Sequence, residues 1–433
     1  MKERLNILIL GHGARESAIA WKLQQSSRTA TLYMAPYGIP GVEGVRIDPL
    51  DFDAVARFVG ANSIDMVIPG GEGPIVAGIA DALSEVDVKV IAPDKACARL
   101  EGSKEFAKEF MSRHSIPTAR FMTVTPDWLE EGLNFIDSLH APYVLKADGL
   151  AHGQGVIIRE TADEAKQTLR EMLDGMFGEA SSTVVIEEFV AGQECSVFLA
   201  VDGEDYLLLP AAKDYKKIGE GDKGPNTAGM GAVSPVPFAD AEFMEKVERR
   251  IIQPTLRGLR EEGLDFRGFL FLGLMEQEGE PVLIEYNVRL GDPEAEAILP
   301  RIESDIVDVL EGIADRTLAL KRLQTSDLCS AAVVLAERGY PGPVDAAKPV
   351  EGLNAPDAGY TVFPGEILFT TDNLAFSDGG RVATVEALGA SLPEAIGKAL
   401  AGAGDIHFDG KYFRRDIGFD LLGPSPVIPS ADV

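Results

Sequence analysis

The chain has 433 residues, of which 40 are basic and 69 acidic, giving a formal net charge of −29; 45% of the residues are hydrophobic. At ~150 residues per domain this length is a prior of about three domains. Such an acidic balance argues against non-specific nucleic-acid binding, yet a few local lysines can still reverse the field around a small anionic substrate. No apolar run approaches the roughly 20 residues of a membrane span. Cys97, Cys195 and Cys329 are too sparse for a disulfide framework or a metal-ligand spacing. The expectation is a cytoplasmic monomer with no nucleic-acid or membrane partner.

In chain order, the N-terminal MKERLNILILG is read as a first strand and not as a signal peptide, because no small-residue cleavage site follows it. A strand over 5–10, a helix over 14–25 and short apolar runs near 30–34, 65–69 and 88–91 alternate, which implies a parallel doubly wound sheet over 1–94. Asp94 caps a helix expected over 95–113, and Ser115-Ile-Pro117 breaks the chain. A strand over 142–146, a capping box at Thr161-Ala-Asp-Glu164 and strands at 183–188, 194–201 and 205–209 follow. A polar loop is expected over 211–235, a helix over 240–262, paired strands over 267–276 and 281–288, and a helix over 304–325. Short β-type runs at 329–336, 360–369 and 381–387 precede a helix opened by the box Ser391-Leu-Pro-Glu394, and 424–433 reads as a frayed tail.

Six segments carry candidate chemistry. Gly11-His-Gly13-Ala-Arg15-Glu16 follows the first strand and Pro69-Gly-Gly-Glu72 a later one; both turns fall at the carboxyl edge of a doubly wound sheet, where ligands bind. The first is either an anion-binding turn or a plain tight turn, and Glu16 at the third glycine position excludes a dinucleotide fingerprint. Lys146 ends a strand ahead of a loop containing Gly149, Gly153 and Gly155, a pattern suited to phosphates or to a solvated turn. Glu187-Glu188 ahead of Gly192-Gln-Glu194 reads as ribose-binding or, without context, as solvated carboxylates at a hairpin corner. The lysines of 213–223 suggest a nearby anion. The most informative run is Glu285-Tyr-Asn287-Val-Arg289: strand alternation projects a carboxylate, an amide oxygen and a guanidinium from one face, which suits Mg²⁺ with a phosphate or is otherwise an exposed polar strand face, and turns Ile284, Tyr286 and Val288 to the other.

Leu100-Glu-Gly-Ser-Lys104, Lys146-Ala-Asp-Gly-Leu150, Val185-Ile-Glu-Glu-Phe189, Gly224-Pro-Asn-Thr227 with Gly229-Met-Gly231, Arg267-Gly-Phe269, Glu285-Tyr-Asn-Val-Arg289 with Gly291-Asp-Pro-Glu294, and Arg415-Asp-Ile-Gly418 resemble, in this order and spacing, the glycinamide ribonucleotide synthetase family of ATP-grasp ligases. The resemblance runs over nearly the whole chain. It implies an α/β and α+β multidomain fold: a Rossmann-like domain over 1–94, an ATP-grasp region over 95–325 with a small lid at about 120–190, and a C-terminal α+β domain over 326–433. It also implies ATP-dependent joining of glycine to 5-phosphoribosylamine, with ATP as co-substrate and Mg²⁺ or Mn²⁺ as cofactor. Position by position, Lys104, Lys146, Gly153 and Gly155 are implied at the nucleotide phosphates, Glu187 and Val190 at the adenine, Glu194 at the ribose, and Glu285 and Asn287 on the metal. Arg289 is implied at an acyl phosphate, Asp214 and Lys216 in catalysis, and Gly11, Gly13, Glu72, Asn226, Thr227 and Asp292 at the acceptor substrates.

The chain departs from the family pattern at Ala14 and Ser17, at Pro36–Gly41, at Gly70-Gly71-Glu72, at His152 and Gln154, at Lys213 and Tyr215, and at Pro364. Most of these lie on the amine-substrate side. Two other readings therefore stand beside the ligase: an ATP-grasp enzyme for a different acid or amine, and a nucleotide-binding protein without turnover.

Overall fold

The computed structural model describes residues 2–149, 155–344, 347–353 and 359–422. The readings on Gly153, on the departures His152 and Gln154, and on the 424–433 tail fall outside these residues. The N-terminal sheet is parallel throughout, with Leu5–Leu10 at its centre between Thr29–Ala35 and Met66–Pro69, and Glu43–Gly44 and Lys89–Val90 at its edges. Ile7, Leu8, Ile9 and Leu10 are all fully buried, because helices cover both faces and an unbroken apolar run is what such a strand needs. The two glycine turns lie side by side at the carboxyl edge, where the Gly11 N–H donates to Ala35 O (2.8 Å) and the Gly70 N–H to Leu10 O (2.8 Å).

The single helix expected over 95–113 is two, Lys95–Gly102 and Lys104–Arg113. Ser103 divides them: its hydroxyl oxygen accepts from the Phe106 N–H (3.1 Å) and caps the second helix, while the hydroxyl donates to Asp148 (3.0 Å). Beyond Pro117 lies a four-stranded antiparallel sheet in the order Phe121–Val124, Val184–Glu188, Tyr143–Ala147, Val156–Arg159, backed by helices Leu129–Asp137 and Ala162–Leu173. The Thr161 box caps the second of these helices as its sequence predicts.

The central sheet runs Tyr206–Leu208, Gln193–Asp202, Arg267–Gln277, Glu280–Asn287, all antiparallel. Its two faces feed two cores by simple alternation. Val197 and Leu199 pack with the helical run 241–261, whereas Phe198 and Ala200 pack toward the N-terminal sheet and helix Ile306–Asp315. The helix expected over 304–325 covers less: Arg316 in the left-handed region (φ 56°) ends it at Asp315, and one 3₁₀ turn, Leu318–Leu320, follows.

The expected loop over 211–235 holds four short strands. Lys213–Asp214 and Gly231–Ser234 join Cys329–Glu337, Arg381–Gly389 and Thr361–Pro364 in the C-terminal sheet, a long-range pairing that local periodicity does not reveal. The hairpin Lys217–Gly219/Lys223–Asn226 is held by the fully buried Arg414, which reaches Asp222 (2.7 Å), Asp416 (2.8 Å) and Lys217 O (3.1 Å). On the C-terminal sheet, burial pushes Glu386 up to about 8, although the Ser330 hydroxyl donates to it at 2.9 Å. A carboxyl whose folded value is raised binds its proton more tightly in the native state, so stability falls as pH rises from the unfolded value of 4.5 toward about 8. Glu386→Gln is therefore expected to raise the melting temperature at pH 8, with a gain that shrinks toward pH 5; an equal gain at both values would contradict the buried-proton account.

Candidate active site

Strand Glu280–Asn287 carries the centre of the site. Its partner register steps from Leu274↔Leu283 to Gly273↔Glu285, which leaves Ile284 as an extra residue. This bulge corrects the simple alternation. Leu283, Tyr286 and Val288 enter the core, whereas Ile284 joins Glu285 in lining a cleft with Glu194, Ser196, Asp214, Lys216 and Gly273. Gly273 is needed here, since a Cβ would stand 2.9 Å from Glu285 Cγ. Arg289 lies past the strand's end, not on its face, but its guanidinium turns back: Nη2 donates to Asn287 Oδ1 (3.3 Å) and meets Glu101 (3.1 Å), and Nε lies 3.5 Å from Glu72. Against the raising effect of burial, Lys216, Lys146, Lys104 and Arg289 hold Glu285 below the usual carboxylate range.

Glu285 and Asn287 offer an ionised carboxylate and an amide oxygen, both hard donors. Asn287 is buried, and its Nδ2 has no hydrogen-bond partner among the described residues. Among the described residues no group of three or more His, Cys, Asp or Glu could hold a metal ion. Two oxygen ligands fit Mg²⁺ or Mn²⁺ when phosphate oxygens and water complete the shell.

Glu187 corrects the expectation of a solvated carboxylate. It is 2% exposed and bridges Lys146 (2.7 Å) and Lys108 (2.8 Å), which together hold it below its ordinary value despite burial. Burial lowers Lys108 to about 8. Lys104 begins the helix Lys104–Arg113 and donates to Gly149 O (3.5 Å); burial lowers it, with Glu285 opposing. Gly155 O accepts from the Ala147 N–H (2.8 Å) at the mouth of the glycine loop. Val190, half-buried, follows strand Val184–Glu188.

Opposite these lysines, the chain 213–216 alternates between two environments. Lys213 and Tyr215 turn to Asp420 (3.2 and 2.7 Å), while Asp214 and Lys216 line the cleft and Lys216 pairs with Glu194 (3.2 Å). Burial, with Glu294 and Glu194 adding to it against Lys216, pushes Asp214 up to about 8. Against burial, Asp214 and Glu194 raise Lys216 well above its ordinary value. Thr227 folds back, donating to Lys216 O (2.8 Å), whereas Asn226 is exposed on its hairpin.

The glycine turns serve a purpose that residue type alone does not disclose. Cβ atoms at Gly11 (φ +132°), Gly13 and Gly70 would come within 2.8, 2.7 and 2.0 Å of the Glu16 side chain. These glycines make room for a buried Glu16, paired with Arg15 Nε at 2.9 Å. Asp292 lies beside this turn and bonds Arg381 of the C-terminal sheet (2.9 Å); Arg381 and Arg15 hold it low against burial. Glu72 opens helix Glu72–Ala77 and faces Arg289. The run Gly291-Asp292-Pro-Glu294 reads in the sequence either as a helix cap or as lining for the same cleft, and Glu294 acts on both Asp214 and Lys216. Sequence reasoning gave no role to Glu101, Lys108 or Arg381. Lys108 had a readable signal, standing four residues after Lys104 on the same helical face; the other two become visible only through tertiary contacts.

Three family models match in succession: the phosphoribosylglycinamide synthetase N domain over 5–101, its ATP-grasp (A) domain over 102–295 and its C domain over 330–420. The phosphoribosylamine–glycine ligase of Mesorhizobium japonicum is 42% identical over 423 residues, covering 96% of this chain and 99% of that protein. The enzyme of the same name from Escherichia coli K12 is 39% identical over 426 residues, covering 96% and 99%. The crystal structure of a phosphoribosylamine–glycine ligase from Thermotoga maritima superposes with a TM-score of 0.81 at 34% identity, over 95% of this chain and 100% of that one. Biotin carboxylase from Campylobacter jejuni (TM-score 0.70, 14% identity, 97% and 95% coverage) shares the fold alone. With all three domain models in order and relatives matched from end to end, this chain belongs to the phosphoribosylamine–glycine ligase family of ATP-grasp enzymes.

Proposed function

We propose that the protein joins glycine to 5-phosphoribosylamine at the expense of ATP, forming glycinamide ribonucleotide, ADP and phosphate in purine biosynthesis. The observation that supports this most is the set of cations, Lys104, Lys146, Lys216 and Arg289, whose charges act on the half-buried Glu285, a cationic lining inside a strongly acidic protein. A free carboxylate is a poor electrophile, so glycine is first activated: a carboxylate oxygen attacks the γ-phosphorus, the bond to the ADP oxygen breaks, and glycyl phosphate forms. The ribosylamine nitrogen then attacks the carbonyl carbon, phosphate leaves and the nitrogen loses a proton.

In this reading Lys104, Lys146 and the glycine loop bind the phosphates. Glu187 orients Lys146 toward them, with the adenine side lying near Val190 and the ribose near Glu194. Arg289 meets the acyl phosphate. Asp214 takes the proton from the amine, and the adjacent Lys216 favours the ionised form that can accept it. Glu72, Asn226, Thr227, Asp292 and the Gly11–Gly13 turn flank the acceptor substrates. Glu285 and Asn287 would hold Mg²⁺ or Mn²⁺, which when bound neutralises charge on the transferring phosphoryl group. The lid at about 120–190 keeps out water that would hydrolyse the acyl phosphate. The division at residues 94 and 325, action as a monomer and a cytoplasmic setting complete the proposal; no helix among the described residues is long and apolar enough to cross a membrane.

A coupled ADP-release assay across candidate amino acids, with phosphoribosylamine generated in situ, tests the reading. ADP release that needs glycine and phosphoribosylamine together is expected. Release that needs another pair, or nucleotide binding without any release, would overturn it.

A further inference from the structure

Arg289 depends on a group that belongs to neither the metal strand nor the phosphate lysines. Glu101 sits in the last turn of helix Lys95–Gly102, the helix that leaves the N-terminal sheet, and its side chain is 7% exposed. One carboxylate oxygen accepts the Val288 N–H at 2.7 Å; the other lies 3.1 Å from Arg289 Nη2. Val288 is the residue between Asn287 and Arg289. A single carboxylate thus pins both the backbone joining these two groups and the guanidinium itself. The other partners of Arg289 lie farther away, at 3.2 Å (Leu290 O), 3.3 Å (Asn287 Oδ1) and 3.5 Å (Glu72).

We infer that Glu101 is a positioning residue for phosphoryl transfer, acting through Arg289 and the end of strand Glu280–Asn287; this rests on the ligase reading above. An amide in its place keeps the shape but has one acceptor oxygen for two donors, and turns an N–H toward a cation. A guanidinium released from its fork loses the fixed orientation that recognition of a phosphoryl group requires. If Glu101 served only to attach the helix to the strand, its replacement would lower stability and leave turnover per folded molecule unchanged.

A double-mutant cycle with Arg289→Lys separates the two. Glu101→Gln alone is expected to lower kcat by roughly 30- to 100-fold, and to cost less than about 3-fold more when added to R289K. Glu101→Asp, which keeps the charge but withdraws it by one methylene, is the second variant should Glu101→Gln fail to fold, and a smaller loss of kcat is expected of it. Wild-type kcat in the folded variant, or an equal loss in both backgrounds, overturns the inference. A wild type inert toward glycine and phosphoribosylamine would instead sink the ligase reading. The positioning is then read without turnover from the Arg289 Nε–H resonance, identified by its loss in R289K. It is expected to shift or broaden in Glu101→Gln, and an unchanged resonance overturns the inference.

Discussion

Glu285→Ala is expected to reduce turnover by roughly 10³-fold or more while the protein folds and melts close to wild type. The loss follows from removing the only carboxylate of the proposed metal pair from a point on which the charges of four cationic side chains act. Folding survives because those cations keep other partners: Lys104 holds Gly149 O, Lys146 holds Glu187, Lys216 holds Glu194, and Arg289 holds Glu101. Steady-state ADP release alongside a thermal melt gives both readouts, and Mn²⁺ binding in the presence of ATP, followed by electron paramagnetic resonance, gives a third. Wild-type rates in the variant would remove the metal assignment.

Glu187→Leu has the opposite signature, with stability lost before chemistry. Its carboxylate is the shared counter-charge of Lys108 and Lys146, both buried. Removing one partner of such a buried set leaves uncompensated charge and costs about 3–5 kcal/mol. Replacing Lys108 by Met in the same chain is expected to restore part of this. The pH arm has a definite sign. The folded value of Glu187 lies below 4.5, so its stabilising contribution is complete above that pH and is lost only as pH falls through the lower folded value. Urea unfolding at pH 7 and pH 4 measures both, and a loss under about 1 kcal/mol at pH 7 would contradict the bridge.

The elements that were legible in the sequence are those whose signal is local. Leu5–Leu10 announces itself as an apolar run closed by glycine, and Thr161 and Ser391 announce their helices by capping boxes that the structure contains. What escaped depends on partners far along the chain. Gly231–Ser234 is a strand because Cys329–Glu337 lies beside it. Ser103 divides a helix because Asp148 lies near enough to bind it. The helix ending at Asp315 stops at Arg316, a residue type without preference for the left-handed region it occupies. In the site, the alternation of 285 and 287 was readable, whereas the bulge that turns Ile284 into the cleft was not, since an extra residue in one strand is defined only against its neighbour. The burial of Glu187 was not legible for a related reason: its counter-charges come from a different strand and a different helix, and nothing adjacent in sequence marks it as buried.

The C-terminal sheet borrows Lys213–Asp214 and Gly231–Ser234 from the middle of the chain, so the C-terminal strands complete a sheet begun before strand Glu280–Asn287 is reached. The polypeptide is interleaved and not strung like beads. A fragment stopped ahead of Cys329 would strip Gly231–Ser234 of its Cys329–Glu337 neighbour and leave Asp292 without Arg381, so a cut there does not release a self-sufficient nucleotide-binding piece. Shuffling of this architecture has to transfer both lengths of chain together, and loss of the segment around Asp420 would be felt at Lys213 and Tyr215, the two neighbours of Asp214 that bind it.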